Sequence, residues 1–116
     1  MLEDAHRDIL RRAETAHDRE ALDADARAVD WGMHDRMVDA MDNEILSEIY
    51  RVNSLHVRLI RIDADRVVRQ RVLPAMQEHL VIVAALKKRD ETAAVATMTA
   101  HIESSKQRVL EAMLLA

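Results

Sequence analysis

Residues 73 to 105, LPAMQEHLVIVAALKKRDETAAVATMTAHIESS, constrain the fold more than any other stretch, because they read as two amphipathic helices joined at Asp90. Along the first, Met76, His79, Leu80, Val83 and Leu86 recur at three- and four-residue steps, and along the second Ala94, Met98, His101, Ile102 and Ser105 do the same. Asp90 can cap the second helix by accepting from the free N–H groups of its first turn, and Pro74 suits the first turn of the helix before it. A short turn makes the two helices antiparallel. Each apolar stripe carries one histidine, so His79 and His101 are brought towards the same interior point.

The rest of the chain agrees with a helical reading. It has one Gly, one Pro and no Phe in 116 residues, a length that suits one domain with a real core. No run approaches the roughly 18 uncharged apolar residues of a membrane span, and the first residues, MLEDAHRDILRR, are charged where a signal peptide is apolar. These features predict a soluble, cytoplasmic protein. With no cysteine, disulfides and zinc ribbons are excluded, and any metal must be held by His and carboxylate. A net charge of −4 argues against a nucleic-acid surface. The arginines that gather between 51 and 71 alternate with apolar residues at helical spacing and read as a solvated helix face.

In chain order, residues 3 to 22 predict a first helix with a weak face of Ile9, Leu10, Ala13 and Ala16, and His6 and His17 read as surface histidines. Helical sequence starts at Met1 without a preceding loop, which reads as the cut end of a longer chain. Asp23 or Asp25 is a candidate cap for a second helix to about Met41, with Ala26, Val29, Asp30, Met33, Met37 and Met41 along one side. Asp30 and His34 are four residues apart and share a helix face. On an apolar flank such a pair costs desolvation energy unless the two bond each other or ligate something. Gly32 between them points to a close approach by a helix or ligand, or to chance. Asn43 caps a third helix to about Ile62, whose inward candidates are Ile45, Leu46, Ile49, Val52, Asn53, His56, Val57 and Ile60. Residues 63 to 70 read as a short helix or loop, and the last helix as about 91 to 115. No Gly-rich phosphate loop and no nucleophile–histidine arrangement is present.

Asp30, His34, His79 and His101 thus lie on three helices of an all-α, antiparallel bundle of five to six helices. Singly, each reads as a core or surface residue. Together, three imidazoles and a carboxylate suit one divalent metal in the bundle interior; zinc, nickel and manganese head the candidates, and iron stays open.

The order and spacing of DWGMH at 30 to 34, Asn43, EHLVIVAALKKRD at 78 to 90 and AVATMTAH at 94 to 101 resemble the FadR C-terminal domain, or FCD, the effector-binding half of GntR-type bacterial transcription regulators. The resemblance spans about residues 8 to 113 and departs from the family at Met33, where an aromatic residue is usual. It implies that Asp30, His34, His79 and His101 bind one metal whose coordination a small organic acid completes, with Arg51, Asn53, His56 and Arg58 as candidates for its other polar groups. It also implies a homodimer, for which exposed Leu, Val and Met of the first and third helices are candidate contacts. Family members carry a basic winged helix-turn-helix before this domain and usually an earlier helix within it. Neither has a counterpart here, so residues 1 to 116 read as one ligand-binding and dimerisation domain that meets DNA only through a missing N-terminal segment. The expectation is a sensor and not an enzyme. Two alternatives are a metal-dependent helical hydrolase, in which the open metal position activates water, and a purely structural helical dimerisation module.

Overall fold

The computed structural model describes residues 2–15, 19–67 and 72–115. They form five helices: α1 (Leu2–Thr15), α2 (Arg19–Asp39), α3 (Glu44–Val67), α4 (Val72–Lys87) and α5 (Glu91–Leu115). The described residues hold no strand, and the all-α reading is correct.

The hairpin forms where its pattern places it. Asp90 Oδ1 accepts the Ala93 N–H at 3.0 Å, which caps α5. α4 closes with Arg89 in the left-handed region, φ 54°, while the Asp90 N–H reaches back to the Ala85 carbonyl at 3.1 Å. That is a Schellman closure with Arg where Gly is usual, at a cost of about 1–2 kcal/mol in backbone strain. The turn after α2 uses Asp42 in the same region, and Asn43 Oδ1 accepts the Leu46 N–H at 3.1 Å to start α3.

α4 lies at the centre, packed on α1, α2 and α5, while α3 leans on α2 and α5 from outside. Two apolar clusters form on α4. Ile9, Leu22, Ala26 and Met76 make the first, with Leu10, Ala13, Val29 and Leu73 against it; Met33, Ile82 and Val83 make the second, with Leu2, Met37 and Met98. Each fully buried Met or Ile contributes about 1.5–3 kcal/mol. Along α4, His79 falls between Met76 and Val83, and along α2, Asp30 falls between Ala26 and Met33. The polar residues of the site are therefore held between two greasy layers.

Several sequence expectations need correction. The first helix ends at Thr15 and not at 22, and α2 begins at Arg19, so Asp23 and Asp25 lie inside α2 and cannot cap it. No Gly or Pro marks that boundary, and the periodicity reads straight through it. Asp25 instead accepts from Arg12 at 2.9 Å across α1 and α2. Leu22 belongs to the core, Met41 lies beyond the end of α2 and is exposed, and α3 runs on to Val67. Ala16 and His17 lie outside the described residues. A Cβ at Gly32 would meet nothing within 4 Å, so no close approach explains that glycine.

The largest correction concerns α3. Ile45 is 73% exposed, Ile49 54% and Val52 58%; Leu46, Leu55 and Leu59 are exposed as well, as are Asn53 and His56. The face turned to the bundle is Ser47, Tyr50, Ser54 and Arg58. Polar bonds to α2 hold it there: Ser47 Oγ donates to Asp39 at 3.2 Å, while Tyr50 Oη at 2.9 Å and Arg58 Nη2 at 2.6 Å both donate to Asp35. Ile45, Leu46, Ile49 and Val52, predicted to face inward, face outward, while the side chains of Val57 and Ile60 lie outside the described residues.

Candidate metal centre and adjoining cavity

α2 supplies Asp30 and His34, one turn apart. α4 supplies His79 and α5 supplies His101, each from the buried side of its helix. Helical spacing puts the α2 pair on one face, and the capped hairpin sets the other two rings opposite each other. One donor atom from each of the four lies within 4.8 Å of all the others, a set able to hold a metal ion.

The distances refine this. His79 Nε2 is 3.0 Å from His101 Nε2 and 3.2 Å from Asp30 Oδ1; His34 Nε2 is 3.3 Å from His101 Nε2 and 3.8 Å from Asp30 Oδ1. Tetrahedral zinc–nitrogen bonds of about 2.0–2.1 Å separate neighbouring donors by about 3.3–3.4 Å. The His34 and His101 nitrogens stand at that spacing, and those of His79 and His101 are a few tenths of an ångström closer.

Hydrogen bonds on the far sides of the rings fix which nitrogen carries the proton. The Leu2 carbonyl can only accept, so His6 Nδ1 donates to it at 2.6 Å. Burial depresses the pKa of His6, outweighing the bond to Leu2 that raises it, so the ring is neutral and its Nε2 accepts. His79 Nδ1, 2.8 Å from that nitrogen, is then the donor. In the neutral ring its own Nε2 is then a lone pair facing the centre. His101 Nδ1 donates to Glu78 Oε1 at 2.7 Å. Burial likewise lowers the His101 pKa despite the carboxylate that pulls it up, and its Nε2 is a second bare lone pair. Two lone pairs 3.0 Å apart repel each other unless a cation lies between them. The donor set and its protonation pattern therefore fit a divalent metal.

Glu78 is itself held. Arg108 Nη1 and Nη2 reach its two oxygens at 2.8 and 2.7 Å, a bidentate pair. Burial pushes the Glu78 carboxyl up, but the bonds from Arg108 and His101 outweigh it and leave the pKa below its ordinary value.

Beside His34 opens a cavity of about 230 Å³ lined by Trp31, His34, Tyr50, Asn53, Ser54, Arg58 and Ile102. Arg58 lies over the Trp31 ring at 4.9 Å while bonded to Asp35. Of the four expected effector contacts, Arg58 and Asn53 line this cavity. Arg51 does not; it lines a separate acidic groove with Asp39, Asp42, Glu44 and Glu48. His56 is exposed and belongs to the outward stripe of α3.

The surface reading of His6 is wrong, because the residue is fully buried at 0% exposure. A signal for it was present: Leu2, His6, Ile9, Leu10 and Ala13 share one helical stripe. Trp31 and Tyr50 were also missed as cavity residues, Trp31 because it sits beside the stripe of α2 and Tyr50 because it lies opposite that of α3.

Fold and site together define a helical domain enclosing a polar centre able to hold a metal, with a small cavity opening onto it. The FCD domain family matches residues 2–104, and the chain belongs to that family, the effector-binding domain of FadR-like, GntR-type regulators. The match starts six residues before the span of about 8 to 113 expected from the sequence and stops at 104. No match was found among curated proteins, and none among solved structures. None of the described helices is long and apolar enough to cross a membrane.

Proposed function

We propose that this domain senses a small organic acid through a divalent metal held by Asp30, His34, His79 and His101, and so modulates DNA binding by a winged helix-turn-helix N-terminal to it in the full-length, cytoplasmic regulator. The observation that carries the reading is the convergence of four donor atoms: His79 Nε2 lies 3.0 Å from His101 Nε2 and 3.2 Å from Asp30 Oδ1, and His34 Nε2 lies 3.3 Å from His101 Nε2. A bound metal supplies a Lewis-acidic centre with a coordination position open to a carboxylate. Zinc, nickel and manganese all suit three imidazoles and one carboxylate.

The chain's own residues do the rest. His101 is oriented by Glu78, whose charge Arg108 neutralises, and among the four candidate ligands Asp30 supplies the one carboxylate. A divalent cation there leaves one residual positive charge, which matches a single carboxylate. The adjoining cavity is smaller than the roughly 300–1,000 Å³ of sites for drug-sized ligands, which favours a small acid. Arg58, already aligned by Asp35 and Trp31, is placed to take a second polar group of that acid, with Tyr50 and Asn53 beside it. Glu78, the carboxylate next to the centre, is occupied by His101 and Arg108, which disfavours a general base and with it a hydrolase.

Ligand occupancy acts on the whole regulator only through different affinities for two arrangements of the helices. A homodimer fits that role, because a two-fold protein reads a palindromic site, and the outward apolar stripe of α3 is the surface for it.

Metal-loaded protein screened against small mono- and dicarboxylates should show a rise in Tm for one chemical class, and Arg58→Gln should reduce that rise while leaving metal content unchanged. No thermal response to any carboxylate in metal-loaded protein would rule out the effector reading.

A further inference from the structure

We propose that His6, which does not reach the centre itself, is a positioning residue for the metal: it holds His79 with its proton on Nδ1 and its bare Nε2 turned inward, and so makes the first turn of α1 part of the site. The inference rests on the metal reading above. His6 spends both ring nitrogens in this arrangement, Nδ1 on the Leu2 carbonyl and Nε2 on His79. The two rings meet edge to face at 4.9 Å, and both are fully buried. A fully buried imidazole on a stripe shared with Leu2, Ile9 and Leu10 costs desolvation that an apolar residue would avoid. Its return is a defined tautomer on the ring it touches.

The two hairpin histidines are thus oriented by different means. His101 has a carboxylate behind it, and His79 has a neutral imidazole that is anchored to a backbone carbonyl. A second anion behind His79 would cancel the residual positive charge that suits an incoming carboxylate, whereas a neutral acceptor fixes the tautomer and leaves that charge in place. Partners of this kind, behind a metal-bound histidine, typically change metal affinity about 10–100-fold when removed.

The test uses the wild-type chain with His6→Met, which fills the space without an acceptor, and His6→Gln, whose amide can accept from His79 and donate to Leu2. Zinc affinity is read by competition with a chromophoric chelator, and imidazole tautomers by long-range ¹H–¹⁵N correlation on metal-free and zinc-loaded protein. His6→Met should bind zinc about 10–100-fold more weakly, with His6→Gln recovering most of the loss. Metal-free wild type should show His6 and His79 both protonated at Nδ1, and His79 should lose that preference in His6→Met. Equal zinc affinity in wild type and His6→Met would overturn this inference alone, and so would a wild-type His79 protonated at Nε2. Should His6→Met fail to fold, the wild-type tautomers and His6→Gln still decide the question. Wild type that takes up no zinc would overturn the metal reading and this inference with it.

Discussion

At the residue scale, Tyr50 links the α2–α3 contact to a measurable property. Burial first, and its bond to Asp35 second, raise its pKa from 10.0 to about 12, against the opposing effect of Arg58. The protonated form is therefore favoured in the folded chain. The stability this contributes is fully present below pH 10 and is lost as pH rises from there through about 12. Tyr50 is the only tyrosine, so phenolate absorbance during an alkaline titration reports on it alone. Its midpoint should lie well above 10, and Tyr50→Phe should show a smaller fall in Tm over the same range. A midpoint near 10 would mean that Tyr50 is not packed against Asp35 as described.

Residues of the centre differed in how far sequence disclosed them. Asp30, His34, His79 and His101 stand out because each is polar on an otherwise apolar stripe. His6 stands on such a stripe too, but Glu3, Asp4, Arg7 and Asp8 surround it in sequence and make the helix look like a surface. Arg58 is not separable from Arg51 by residue type. Seven residues put them on one face of α3, and what separates them is height along it: about 10.5 Å of rise leaves Arg51 beside Asp39 and Asp42 and brings Arg58 beside Trp31 and His34.

At the scale of elements, the hairpin was legible because capping, periodicity and turn agree within one stretch. α3 was not. Its apolar stripe is as regular as that of α4, and periodicity tells which residues share a face but not which face meets the core. Here polar bonds from Asp35 and Asp39 outcompete the apolar stripe for the bundle side, and Ile45, Ile49, Val52 and Leu59 are left exposed in a row. Apolar surface left facing water along several helical turns is characteristic of an interface. The expectation is that the chain sediments as a dimer and that Ile49→Glu with Val52→Glu yields a monomer of unchanged helicity. A wild type that stays monomeric at every concentration, or a charged variant that still dimerises, would remove α3 from that role. The α1–α2 boundary was hidden for a different reason, since no breaker residue marks it and Ala-rich sequence on both sides is equally helical.

At the scale of the molecule, two apolar layers hold a polar centre whose candidate ligands come from α2, α4 and α5 and whose orienting bonds come from α1, α4 and α5. On the proposed metal reading its net effect on stability depends on the ion, because facing lone pairs are unfavourable without one and would become ligands with one. Free metal at about 100 times its Kd would add about 2.7 kcal/mol to stability. The most direct measurement is therefore metal content by elemental analysis of the purified chain, beside the His79→Ala/His101→Ala double variant. About one equivalent per chain in the wild type and almost none in the variant is the expected result for a single shared site. Wild type that remains metal-free after incubation with zinc, nickel and manganese at neutral pH would contradict it, and a helical dimerisation module would then be the better account.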